Sequence, residues 1–262
     1  SCLVGSEMCI RDRFLFHTTL FTTTVAVGNR SLAGPVYATD LEYVERSPNA
    51  TTGLAFELVP SYVEIGSLPL TWLVALFFLC SAVAHLGNAT VWRSFYDYEL
   101  ARCRVTTRWV EYFFSAPLMI LSIAYGAGVR EYSLLFAVAL LVASTMPFGF
   151  LTELLSEAAS ETEWTRPLRH RLIPHLLGYA PQLAAWTVLL ANFYDQTYDD
   201  RQRPPWFVNV ILFSQLALFF SFGLVQVVQQ CSSPRRFYIG EIMYQWLSLI
   251  AKGLLGLLLL SN

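Results

Sequence analysis

The sequence predicts an all-α membrane protein, a bundle of seven transmembrane helices with a small β-hairpin in its first extracellular loop. Three observations carry this reading. Hydrophobic residues make up 55% of the 262 residues and charged residues only 14%, against about a quarter charged in an ordinary globular chain. Asp, Glu, Lys and Arg are absent from long stretches: Phe14–Asn29, Ile65–Trp92, Tyr112–Val129, Tyr132–Thr152, Leu172–Tyr194, Pro204–Pro234, and Ile242–Ala251, which resumes after Lys252. A soluble domain would break such runs with charges every turn or two of helix, whereas about 20 mostly apolar residues are what a helix needs to cross the hydrocarbon of a bilayer.

The elements follow in order. Ser1–Arg13 has no apolar core ahead of a small-residue cleavage site, so it reads as a foreign or disordered leader rather than a signal peptide. A single membrane domain, 14–262, then contains spans at approximately 14–29, 67–92, 101–128, 131–152, 172–194, 206–230 and 237–260. Between the first two, Arg30–Gly66 carries β-like clusters, Val36-Tyr37, Leu41 and Tyr43-Val44, then Leu58-Val59, Tyr62-Val63 and Ile65, which predict the hairpin. The third helix is expected to begin near Tyr98, which lets Arg108 snorkel to the membrane edge and carries Glu111 into the bilayer. Glu153–Arg171 reads as a cytoplasmic connector. No internal repeat of the kind found in many secondary transporters is present.

Charge gives the orientation. Arg11, Arg13, Arg93, Arg102, Arg104, Arg108, Arg166, Arg169, Arg171, Arg235 and Arg236 lie on the amino-terminal side, against Arg30, Arg46, Arg130, Arg201 and Arg203 on the other. The positive-inside rule therefore predicts a cytoplasmic amino terminus and an extracellular carboxyl terminus. A net charge of −2 does not suggest nucleic acid as a partner. Cys80 lies in a span, Cys103 and Cys231 in expected cytoplasmic loops and Cys2 and Cys9 ahead of the first span, so no extracellular disulfide is available.

The residue types that carry chemistry are few. Lys252 is the only lysine and lies well inside the seventh span, where an ionisable group is costly and marks a functional site. A lysine amine forms Schiff bases with carbonyl compounds, which arginine does not. Glu111 is the only carboxylate expected within the apolar part of a span, and it is the natural counterion; the alternative for Glu111 is a helix-start pair with Arg108. Glu111, Ser115 and Met119 recur every four residues on one helix face, and Glu241, Gln245, Ser248 and Lys252 form a polar stripe on the seventh helix. His17 and His85 are titratable groups in the first two spans, able to shuttle a proton or to sit satisfied in the core. A metal-dependent hydrolase is disfavoured: His170 falls in a loop, His175 only just enters the fifth span, and no aspartate lies inside any span. The chain is therefore not expected to be an enzyme or to hold a metal.

The block Arg108-Trp-Val-Glu-Tyr-Phe-Phe-Ser-Ala-Pro-Leu-Met-Ile and the block Ser248-Leu-Ile-Ala-Lys-Gly resemble those of heliorhodopsins, as do Ala84-His-Leu-Gly-Asn and Phe220-Ser-Phe-Gly. The resemblance covers essentially everything after Arg13. It implies a rhodopsin-like bundle of inverted orientation, a homodimer in the membrane, and all-trans retinal held covalently on Lys252. Carried over, it makes Glu111 the counterion, Ser248 and Ser115 neighbouring hydroxyls, and His17 and His85 a pair in a polar cytoplasmic cavity; beside it, the helix faces read above add Met119, with Tyr112 next to Glu111, to the expected pocket, and Glu241 and Gln245 to the expected proton relay or polar cavity. The function implied is light sensing that signals to an unknown partner. Ser115 and Met119 stand where a pump would place a second carboxylate, which disfavours pumping, and the alternative is a light-gated passive proton or cation channel along the Glu241–Gln245–Ser248 stripe.

Overall fold

A computed structural model describes residues 33–45, 56–198 and 204–261. Strands β1 (Ala33–Glu45) and β2 (Phe56–Pro69) form the expected antiparallel hairpin, with a bulge at Val36/Tyr37. The chain then passes directly into helix α1 (Leu70–Ala89) and continues through α2 (Arg93–Ala101), α3 (Thr106–Gly126), α4 (Tyr132–Leu154), a single turn at Leu168–Arg171, α5 (Ile173–Tyr198), α6 (Trp206–Cys231), a 3-10 turn at Pro234–Arg236 and α7 (Phe237–Ser261). The leader 1–13 and the expected first span, 14–29, with His17, lie outside the described residues.

Among the described residues, Leu70–Ala89, Tyr132–Leu154, Trp206–Cys231 and Pro234–Leu260 are long and apolar enough to cross a membrane. α3 and α5 are equally long but give up apolar positions to Arg108, Glu111, His175 and Gln182, all of which point inward. The surface is correspondingly inverted from that of a soluble bundle: Phe114, Leu140, Leu176, Leu177 and Leu257 are exposed, while Ser81, Ser115, Gln215 and Lys252 are buried. Such an arrangement suits a solvent of acyl chains.

Packing follows sequence neighbours. α1 lies on α3, α3 on α4, α4 on α5, and α6 on α7, which also touches α1. Their shared core is aliphatic and aromatic, with Val74, Phe77, Ile120, Val138, Val142, Leu189, Leu212 and Leu255 fully enclosed. The α3–α4 connection turns at Gly128, whose φ of 97° lies where a side chain is strained. Arg130 stacks 3.6 Å from the Tyr125 ring centroid, and its carbonyl accepts from the Tyr37 N–H at 2.9 Å, so the hairpin is fastened to this turn.

Three expectations are corrected. The third helix does not begin near Tyr98 or at residue 101: the chain breaks at Arg102–Val105, with Cys103 at φ 58°, and α3 starts at Thr106. The break is stabilised because buried Glu99 accepts from the Thr106 N–H at 2.6 Å and hydroxyl at 2.8 Å, while Glu153 accepts from the Val105 N–H at 3.0 Å. These carboxylates satisfy backbone donors that a helix start leaves without partners. Secondly, Arg108 does not snorkel; it is buried between α4 and α7. Thirdly, Glu153 belongs to α4 rather than to the connector, and α5 continues far enough to carry Asp195, exposed in its last turn.

Candidate functional site

α7 carries Lys252 sixteenth in its 25 residues, 2% exposed. Gln215 on α6 fixes the helix there, its Nε2 donating to the Ala251 carbonyl at 2.9 Å. The Lys252 ammonium pairs with Glu111 of α3 and donates to Ser81 Oγ of α1 at 2.5 Å. Ser81 passes its own hydrogen to Glu111 Oε1 at 2.6 Å, and Ser115 donates to the same oxygen at 3.2 Å. One carboxylate oxygen thus gathers a cation and two hydroxyls, which is how a charge survives away from water. Glu111 is only the sixth residue of α3, about 7 Å along its axis, whereas Lys252 is about 22 Å along α7.

Ser115, Tyr112 and Met119 stand along α3 beside the pair, all buried, and Ser248 lies one turn from Lys252. The Tyr112 ring centroid is 5.4 Å from Lys252 Nζ, and its hydroxyl donates to the Tyr244 carbonyl at 3.3 Å. These residues face a cavity, enclosed by α3 through α7, with about 100 Å³ of room for the centre of a water molecule. Its walls are mostly apolar and aromatic, among them Met119, Met146, Phe219 and Phe222. Gly149 forms part of the wall, and the Trp109 ring packs where a side chain on it would stand. Among the described residues, Ser248 Oγ, His175 Nε2, Gln182 Oε1 and the Tyr244 hydroxyl line this cavity buried and without hydrogen-bond partners. Orphaned polar atoms around so large an apolar space fit an organic ligand that reaches Lys252.

On the other side of the pair a smaller cavity, about 20 Å³ by the same measure, has room for one or two waters. His85, Asn88, Glu111, Glu241, Gln245 and Ser248 line it. The structure therefore brings His85, Glu241 and Gln245 together as a polar cavity adjoining Glu111. Its far wall is Arg108, which pairs with Glu153 and Glu241 and stacks 4.0 Å from the Tyr244 ring centroid. Arg108 does not pair with Glu111, and Glu111 is not the only carboxylate buried in the bundle.

Sequence reasoning missed Ser81, Gln215 and the Arg108–Glu153–Glu241 cluster. Ser81 had a signal: with His85 and Asn88 it forms a buried polar row at helical spacing along α1. Gln215 had none beyond its being an amide inside an apolar run. Among the described residues, no group of three or more His, Cys, Asp or Glu is placed to hold a metal ion.

Comparison with known proteins places this geometry. Two solved structures share the fold at low identity. One is a cyanorhodopsin from the cyanobacterium Tolypothrix sp. NIES-4075, with TM-score 0.52 and 15% identity, covering 74% of this chain and 79% of that one. The other is a light-driven proton pump from Leptosphaeria maculans, with TM-score 0.57 and 10% identity, covering 97% of this chain and 92% of that one. No curated protein matches the chain. The fold is thus a rhodopsin-like bundle that carries a two-stranded hairpin, and the protein is an integral membrane protein. The heliorhodopsin family model matches residues 16–261, so the chain belongs to the heliorhodopsin family.

Proposed function

We propose that this protein is a light-sensing photoreceptor that holds all-trans retinal as a protonated Schiff base on Lys252, with Glu111 as counterion, and that signals without pumping ions. The observation that carries the reading is the buried Lys252–Glu111 pair at the edge of a large apolar cavity. Retinal, when bound, supplies light absorption and isomerisation. The chain supplies the rest. Lys252 provides the amine at the cavity wall, and Glu111 holds a proton there by its charge. Ser81 and Ser115 orient the carboxylate by donating to it. Ser248 borders both cavities, and His85 and Gln245 give a proton leaving Nζ a polar place to stay and return from.

Membership of the family supports the choice of cofactor, and the absence of a carboxylate at positions 115 and 119 argues against vectorial transport. A passive light-gated proton or cation channel is the second reading, favoured by the small cavity that continues from Ser248 to Glu241. The proposal includes a cytoplasmic amino terminus, an extracellular carboxyl terminus, a homodimer and a downstream protein partner.

The test is a visible spectrum of the protein expressed with all-trans retinal. Wild type should show a visible band, Lys252→Ala should lose it, and Glu111→Gln should shift it or lose its protonation. A wild type without a band sinks the retinal reading; an unchanged Glu111→Gln spectrum removes Glu111 as counterion. Light-evoked current with a defined reversal potential would move the function to the channel.

A further inference from the structure

The α5 wall of the main cavity is polar in a way that holding a hydrocarbon does not require. His175 and Gln182 are seven residues apart, two turns or about 10 Å along one face, with Tyr179 between them, and all three line the cavity. Both His175 and Gln182 are only 6% exposed. Because α5 packs along α4, while α7 packs on α6 and α1, this stripe stands across the cavity from Lys252.

The hydrogen-bond roles are determined. Gln226 donates its Nε2 hydrogen to the Gly149 carbonyl at 2.8 Å, so its Oε1, 2.7 Å from His175 Nδ1, is the acceptor. Nδ1 therefore carries the hydrogen, and a neutral imidazole presents Nε2 to the cavity as an acceptor. Nε2 has no partner among the described residues, nor has Gln182 Oε1. Both are acceptors that face the cavity, and neither meets a donor among the described residues. An unsubstituted hydrocarbon ring lying there leaves both unsatisfied, whereas a hydroxyl on the ring satisfies one.

We propose that this cavity selects a retinoid whose ring bears a hydroxyl group, with His175 Nε2 as the acceptor of that hydroxyl. The inference rests on the retinal reading and specifies its ligand. A pocket built to accept from a hydroxyl discriminates strongly against the analogue that lacks it.

The experiment is a competition. Apoprotein is given an equimolar mixture of all-trans retinal and all-trans 3-hydroxyretinal, and the bound retinoids are extracted and counted by mass spectrometry. Wild type should be enriched in the hydroxylated form by about five- to tenfold, the worth of one hydrogen bond. His175→Phe, which keeps a ring but removes the acceptor, should bring the ratio to about one, and His175→Gln should restore part of it. Equal uptake by wild type, as expected if water meets Nε2, overturns the proposal, and so does a preference that survives in His175→Phe. Binding of neither retinoid overturns the retinal reading and this inference together, whereas a normal band with no discrimination overturns this inference alone.

Discussion

Ser81 shows how much a single hydroxyl controls in this site. It accepts from Lys252 at 2.5 Å and donates to Glu111 at 2.6 Å, so it bridges the pair and spreads the carboxylate's charge. Ser81→Ala removes a hydrogen bond to a charged group, worth about 1.5–3 kcal/mol. It also leaves the Glu111 charge more concentrated on its partner. In the retinal-bound protein the visible band should persist but move to shorter wavelength, and the thermal unfolding midpoint should fall. A spectrum identical to wild type would mean that the bridging hydroxyl does not sense the chromophore. Lys252 and Glu111 were legible in the sequence because each is the rare member of its class within an apolar run. Serine is common in membrane helices, and only its pairing across three helices singles this one out.

At the scale of elements, the start of α3 is decided by carboxylates from elsewhere in the chain. Glu99 and Glu153 cap its first backbone donors, and Glu153 together with Glu241 then encloses Arg108. Periodicity gave no sign of the break at Arg102–Val105, because the partners that stabilise it are long-range. The cluster holds two carboxylates and one guanidinium, so it has an excess of negative charge when all three are ionised. Removing Arg108 leaves both carboxylates uncompensated, and Arg108→Gln should cost about 3–5 kcal/mol, the range for breaking a buried pair. Glu153→Gln or Glu241→Gln leaves a balanced pair and should cost less, while the triple Gln variant should recover part of the loss. Thermal unfolding of the four variants checks the order, and a mild Arg108→Gln would show that the cluster is not held by charge. The other end of the bundle has a simpler device. Glu131 caps α4, accepting from the Leu134 N–H at 2.6 Å and the Ser133 hydroxyl at 2.7 Å. Slight burial opposes its ionisation, but these bonds outweigh it and hold the carboxyl below its ordinary value of 4.5. A lowered folded value stabilises the protein at pH above 4.5, and that contribution is lost as pH falls through the lowered value. Glu131→Ala should therefore cost about 1 kcal/mol at pH 7, and the difference from wild type should narrow below pH 4. A gap that stays constant with pH would exclude the charged cap.

For the whole molecule, the fold class and the hairpin could be read from hydropathy and from β-branched clusters because both are local, repeated signals. The start of α3, which decides where Glu111 falls along its helix, could not, since it depends on a loop break and on ions drawn from four helices. Orientation is legible only through arginine asymmetry, and it can be tested with the cysteines. Cys231 is exposed at the end of α6, on the arginine-rich side. Cys103 lies on the same side but is buried, with burial pushing its thiol up to about 11, so at neutral pH it presents almost no thiolate. Tyr62, 67% exposed on β2, marks the opposite side. In a chain with Cys2 and Cys9 replaced by serine, a membrane-impermeant maleimide added to intact cells should leave Cys231 unmodified, and should label it once the membrane is opened. Adding Tyr62→Cys to that chain should create a site labelled in intact cells, and Cys103 should react slowly in both conditions. Labelling of Cys231 in intact cells, with Tyr62→Cys protected, would reverse the orientation. The small polar cavity and the Arg108 cluster would then face the outside, and any proton leaving Lys252 toward His85 would move outward rather than toward the cytoplasm.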